Sequence, residues 1–249
     1  MPPDIHRDNI PDLVERLRRG DRGALSRLLT LAAAGAERDS LAAALRVSSK
    51  NHAPVFALTG SGGVGKSSLL SILTMHFAQR GERVGVLACD PESPVTGGAL
   101  LGDRCRIANP QVSDRIFVRS LATTSGQQAL ASHIDRMLEI MKAFGFDRIF
   151  IETVGAGQGD VAVHRLADVV ILVLQPQTGD ALQWEKAGIL ELADLVVVNK
   201  ADLAGADQTV ADVTQQLNQT ESRPVLVVRT SVVKGEGIEE LCQAIEHFE

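Results

Sequence analysis

The run Gly60-Ser61-Gly62-Gly63-Val64-Gly65-Lys66-Ser67-Ser68 has the residue types and the spacing, G-x-x-x-x-G-K-[ST], of a phosphate cradle. Its glycines allow successive backbone N–H groups to close round a phosphate with no Cβ in the way. Lys66 brings a positive charge to the β/γ bridge, and the Ser67 hydroxyl is placed to ligate Mg²⁺. All the residues from 60 to 68 are expected to line the phosphate site. Far downstream stands Asn199-Lys200-Ala201-Asp202. There the Asp202 carboxylate can accept two hydrogen bonds, from the N1–H and the exocyclic amine of guanine, which adenine cannot supply. Asn199 would brace that loop and the Lys200 stem would cover the base. Ser231, in Thr230-Ser231-Val232, suits either a second base-contacting loop or an ordinary strand-to-helix turn. Together the two stretches predict a guanine-nucleotide site.

Two acidic residues close apolar runs that point at the same site. Glu152 follows Arg148-Ile149-Phe150-Ile151 and would hold Mg²⁺ directly or through water, with the Gly155 N–H placed to sense a γ-phosphate. Asp90 follows Val84–Cys89 and could position Mg²⁺ or an attacking water. In the long segment after it, Asp103 is a further candidate Mg²⁺ ligand, and Arg104 and Arg106 offer an arginine finger or plain surface charge. The candidate catalytic set is therefore Lys66, Asp90, Asp103, Arg106 and Glu152, with Ser67, Asp90, Asp103 and Glu152 as metal ligands. Gln158 is not assigned to the water, because it stands two residues beyond the place such a glutamine would take.

These residues need a scaffold that brings distant loops to one edge. From residue 53 the chain alternates β-rich runs (near 55–59, 84–88, 116–119, 148–152, 169–174, 195–199 and 224–228) with helical patterns (near 66–79, 128–144, 182–191, 206–217 and 238–248). That alternation predicts an α/β fold, a mainly parallel sheet flanked by helices, with its ligand beyond the carboxyl ends of the strands. Residues 1–50 read as a small N-terminal helical appendage. Leu13 and Leu17 form one stripe, Gly20-Asp21-Arg22-Gly23 a turn, Leu25, Leu28 and Leu29 a second stripe, and Asp39 a cap for a third helix. Residues 51–249 would form the nucleotide domain.

Composition narrows the classes. A formal net charge of −6 over 249 residues argues against a nucleic-acid partner. No apolar run is long enough to span a bilayer, and no signal-peptide core opens the chain. Three separated cysteines (Cys89, Cys105 and Cys242) suggest reduced thiols and a cytoplasmic setting.

The segment from Asp90 to Arg104, with its core Pro94-Val95-Thr96-Gly97-Gly98-Ala99-Leu100-Leu101-Gly102-Asp103-Arg104, resembles the switch I region of the MeaB/ArgK-type GTPases. These belong to the SIMIBI class of P-loop NTPases and are G-protein chaperones of adenosylcobalamin-dependent acyl-CoA mutases. Glu152-Thr153-Val154-Gly155-Ala156-Gly157-Gln158 is similar to that family's switch II. Gly179-Asp180-Ala181-Leu182-Gln183, with Lys186-Ala187-Gly188-Ile189, is similar to its switch III. The resemblance runs from about residue 10 to the end. It implies a GTP-hydrolysing metallochaperone, slow alone and stimulated by its partner, that gates adenosylcobalamin delivery to a mutase and rescues the inactivated enzyme. It also implies that Asp180, Gln183 and Lys186 communicate between nucleotide and mutase. Gly98–Arg104 and Ser120-Leu121-Ala122-Thr123 further resemble the GTPase segment of fused isobutyryl-CoA mutases, which points to an isobutyryl- or 2-hydroxyisobutyryl-type client.

Adenosylcobalamin is then expected to come with the mutase rather than bind this chain alone. Longer family members continue into a dimerisation arm after the point where this chain stops, so assembly through the mutase is expected, with a homodimer as the alternative. Trp184 reads as core or as a reporter on switch III. The competing readings are a GTPase for nickel insertion, a GTP-dependent interaction module with negligible turnover, and a kinase tied to amino-acid transport.

Overall fold

The structure, a computed structural model, describes residues 9–45, 53–91, 113–123, 133–153, 164–176, 189–219 and 224–248. The chain divides into two compact units, Met1–Ala53 with Ser132–Asp147, and Pro54–Ala131 with Arg148–Glu249.

The first unit is helical. In α1 (Ile10–Arg18), Pro11 stands at the start, where its missing N–H costs nothing, and Ile10, Leu13, Val14 and Leu17 bury one face. Asp21 caps α2 (Arg22–Ala33), its Oδ1 accepting from the N–H groups of Gly23 at 2.7 Å and Ala24 at 3.1 Å, while its other oxygen accepts from Arg16. The expected turn at 20–23 is thus a helix cap as well. The expected cap at Asp39 is not one. α3 (Arg38–Leu45) starts a residue earlier, with Asp39 inside its first turn, because Glu37 turns the chain at φ 54 and its carbonyl accepts the first helical bond from Leu41 N–H. In this unit α5 (Ile134–Phe144) packs on α2, and an Arg18 guanidinium N–H donates to the Ala44 carbonyl at 3.0 Å. The helix expected from 128 is described from Ile134, with His133 at its cap.

The second unit is a seven-stranded sheet with every described pair parallel, in the order β3-β2-β4-β1-β5-β6-β7. The strands are β1 (Val55–Thr59), β2 (Val84–Pro91), β3 (Ile116–Thr123), β4 (Arg148–Glu152), β5 (Val169–Leu174), β6 (Leu195–Val198) and β7 (Leu226–Arg229). Residues of β1, β4, β5 and β6 are buried throughout, as unbroken apolar runs require in a parallel sheet covered on both faces. The pleat sends alternate side chains to opposite faces. On one face Phe56, Phe150, Ile171, Val173 and Val197 pack with Leu69, Leu73 and Phe77 of α4 (Lys66–Gln79) and with Leu241 and Ile245 of α8 (Ile238–Glu246). On the other face Leu172, Leu174 and Val196 pack with Leu190 of α6 (Ile189–Leu192) and Val213 of α7 (Ala206–Gln219).

Of the helix expected over 182–191, only the part from Ile189 lies among the described residues. β7 begins at Leu226, two residues later than expected. Pro224 has no N–H to give a ladder, and pairing with β6 opens at Leu195↔Leu226. Cys89 and Cys242 are buried and in no disulfide, and Cys105 lies outside the described residues. Among the described residues no helix is long and apolar enough to cross a membrane.

Candidate nucleotide site

The carboxyl ends of β4, β1, β5 and β6 lie side by side, and the predicted loops leave the sheet there. Residues 60–65 join β1 to α4. Gly60 has φ +136, and a Cβ on it would come within 2.1 Å of the Val173 carbonyl oxygen. Gly65 has φ +97, and a Cβ there would come within 2.4 Å of Asn199 Nδ2. The loop is therefore pressed against its neighbours at both ends, where only glycine fits. Between them, a Cβ at Gly62 or Gly63 meets nothing within 4 Å, so the middle of the loop is open. An open loop with its backbone turned by glycines, ahead of a helix N-terminus, suits an anion.

Lys66 is buried and curls back over the loop, its Nζ donating to the carbonyls of Gly60 at 2.8 Å and Ser61 at 3.0 Å. Ser67 Oγ donates to Glu152 Oε1 at 2.5 Å. These two side chains meet because β4 is the direct neighbour of β1, with Leu58 paired to Glu152. A hydroxyl and a carboxylate are hard oxygen donors, and Mg²⁺ takes one or two of these with phosphate oxygens and water completing its shell. The pair fits that ion. Among the described residues no group of three His, Cys, Asp or Glu is placed to hold a metal. Thr153 Oγ1 lies 3.3 Å from Thr59 Oγ1, a second tie between the two strand ends.

The loop expected to read guanine follows β6. Asn199 is buried and tied on three sides. Its N–H donates to the Leu174 carbonyl at 2.8 Å, its Nδ2 to the Val64 carbonyl at 2.9 Å, and its Oδ1 accepts from Thr230 Oγ1 at 3.1 Å. Lys200 takes a left-handed backbone, φ 57, and its Nζ donates to the Gly63 carbonyl and to Gln175 Oε1, both at 2.6 Å. Asp202 Oδ1 accepts from Ser231 Oγ at 2.5 Å, and Ser231 Oγ accepts from Lys234 N–H at 3.3 Å. The Ser231 hydrogen bond, then the Asp202 amide and the charges of Lys234 and Lys200, hold the Asp202 carboxyl below its ordinary range. Asp202 thus stands as a carboxylate at neutral pH, aimed by Ser231.

The structure brings together residues 60–68, Glu152, Asn199, Lys200, Asp202 and Ser231. Asp90 belongs to β2, paired with Ala122, but its side chain is outside what is described. Asp103, Arg104, Arg106, Gly155, Gln158, Asp180, Gln183, Trp184 and Lys186 lie outside the described residues. Four residues have contacts here that the sequence does not signal: Gln175, Thr59 with Thr153, and Thr230 as the partner of Asn199. Each is defined by a contact between segments far apart in the chain.

The family model described as methylmalonyl Co-A mutase-associated GTPase MeaB matches residues 25–249. A protein of Pyrococcus horikoshii that carries a GTPase name is 39% identical over 247 residues, which cover 95% of this chain and 77% of that protein. The fused isobutyryl-CoA mutase of Nocardia farcinica is 42% identical over 211 residues, 82% of this chain but 19% of the fused protein. Among solved structures, LAO/AO transport system kinase matches with a TM-score of 0.72 at 25% identity, covering 98% of this chain and 76% of that one. HypB from Helicobacter pylori in complex with nickel matches with a TM-score of 0.59 at 18% identity, covering 83% of this chain and 92% of that one, a likeness of fold alone. The chain is a GTPase and belongs to the methylmalonyl-CoA mutase-associated family, MeaB.

Proposed function

We propose that this GTPase binds GTP with Mg²⁺ across the two loops and uses turnover to gate adenosylcobalamin delivery to an acyl-CoA mutase, and rescue of that mutase. The observation that carries the reading is fusion. In the Nocardia farcinica relative, a segment matching 82% of this chain is part of a protein named as an isobutyryl-CoA mutase. A shared chain keeps two activities at a high effective concentration, which is useful when one regulates the other. An isobutyryl- or 2-hydroxyisobutyryl-type mutase is the proposed client, and the corrinoid arrives with it.

At the site, Lys66 exchanges the Gly60 and Ser61 carbonyls for β- and γ-phosphate oxygens. Ser67 and Glu152 would hold Mg²⁺, which when bound would neutralise phosphate charge. Asp202 accepts the guanine N1–H and amine. Asp90 and Asp103 are assigned to Mg²⁺ or to positioning the attacking water, and Arg106 to the developing charge, with Gly155, Asp180, Gln183 and Lys186 relaying the nucleotide state to the mutase.

Steady-state phosphate release, with and without a purified adenosylcobalamin-dependent isobutyryl-CoA mutase and with ATP as control, tests this. The expected result is slow GTP turnover alone, a rise of at least about tenfold with the mutase, and no response with ATP. Failure of both isobutyryl- and methylmalonyl-type mutases to change the GTP rate would refute the proposed client.

A further inference from the structure

β5 lies between β1, which carries the phosphate loop, and β6, which carries the guanine loop. Its last residues touch the two loops in turn. The Val173 carbonyl backs Gly60, the Leu174 carbonyl accepts from Asn199 N–H, and Gln175, one residue past the strand, accepts from Lys200 Nζ. The same ammonium donates to Gly63 in the phosphate loop. Two short bonds from one cation leave it little freedom. Lys200 also has the left-handed backbone that a non-glycine residue keeps only where its surroundings hold it.

We propose that Gln175 is a positioning residue for the guanine nucleotide: by holding Lys200 Nζ it fixes the lysine stem over the base and ties the guanine loop to the phosphate loop. This rests on the proposed binding of nucleotide between those loops. Without the acceptor at position 175, Lys200 Nζ keeps the Gly63 carbonyl as its hydrogen-bond acceptor among the described residues, and its stem swings away from the base. GDP and GTP share the base, so both weaken together.

The test is a fluorescence titration of the intact chain with N-methylanthraniloyl-GDP, with dissociation followed by stopped flow. Gln175→Leu removes the acceptor and is expected to raise Kd about three- to tenfold through faster dissociation. Gln175→Glu keeps an acceptor at the same reach and is expected to hold Kd within about twofold of the wild type, or below it. A role in packing alone would not distinguish the two variants in this way. A Leu variant that binds like the wild type, or a Glu variant as weak as the Leu variant, would overturn the proposal. Should the Leu variant lose its thermal transition, the Glu variant decides: Kd held or lowered supports the role, and Kd raised overturns it. Wild-type protein that fails to bind the labelled GDP would instead sink the placement of the nucleotide, and this proposal with it.

Discussion

Asp202 has one oxygen held at 2.5 Å by Ser231, so in the proposed role it would meet guanine already aimed and already charged. Its depressed pKa carries a definite sign. The contribution of the ionised form is fully present above the ordinary carboxyl value, about 3.9, and is lost only as pH falls through the lower folded value. Guanine affinity should therefore show no titration from Asp202 between about pH 5 and 8. Asp202→Asn puts an amide donor against the guanine N1–H and amine, which are donors themselves. The expected result is a loss of GTP affinity of about 100-fold or more, with affinity gained for xanthosine triphosphate, whose carbonyl replaces the amine. Competition titrations with the two nucleotides measure it, and retained GTP preference would remove Asp202 from the base.

At the scale of elements, the strands are also pinned at the end away from the site. The Asp168 and Asp194 carboxylates accept from the N–H groups of Val55 at 2.8 Å and Val170 at 2.6 Å, satisfying backbone donors where strands begin. Arg148 at the start of β4 is 3% exposed, its guanidinium 3.6 Å from the Phe77 ring centroid and 2.5 Å from Glu82. It joins α4, β4 and the turn before β2. A buried cation is tolerated only while its counter-charge stays. Glu82→Ala is expected to lower stability by about 2 kcal/mol, less than for a fully enclosed pair because Glu82 is partly exposed. Arg148→Met, which removes the charge and with it the need for a counter-charge, should cost less. Urea midpoints of the two variants compare them, and the reverse order would count against the buried-charge argument.

Across the molecule, the residues legible from sequence are those whose chemistry is local. Gly60–Ser68 and Asn199–Asp202 announce themselves as strings, and alternating apolar runs locate the strands to within a few residues. Strand order is not local. Nothing in the string places β5 between β1 and β6, so the roles of Gln175 and of the Val173 carbonyl emerge only in three dimensions. The same holds for Cys242, which reads as one separated thiol in a helical run and proves to lie in the main core. Burial, with Glu239 and Glu246 adding to it, pushes that thiol from its ordinary 9.0 up to about 12. The unfolded chain releases the proton first, so between about pH 9 and 12 it holds fewer protons than the fold, and stability falls as pH rises. From about pH 8 to 10 the wild type should lose about 1–2 kcal/mol more than Cys242→Ala, whose cavity cost does not depend on pH. Urea unfolding of both proteins at the two pH values isolates the difference. Equal losses would mean that the thiol ionises as readily inside the fold as outside it.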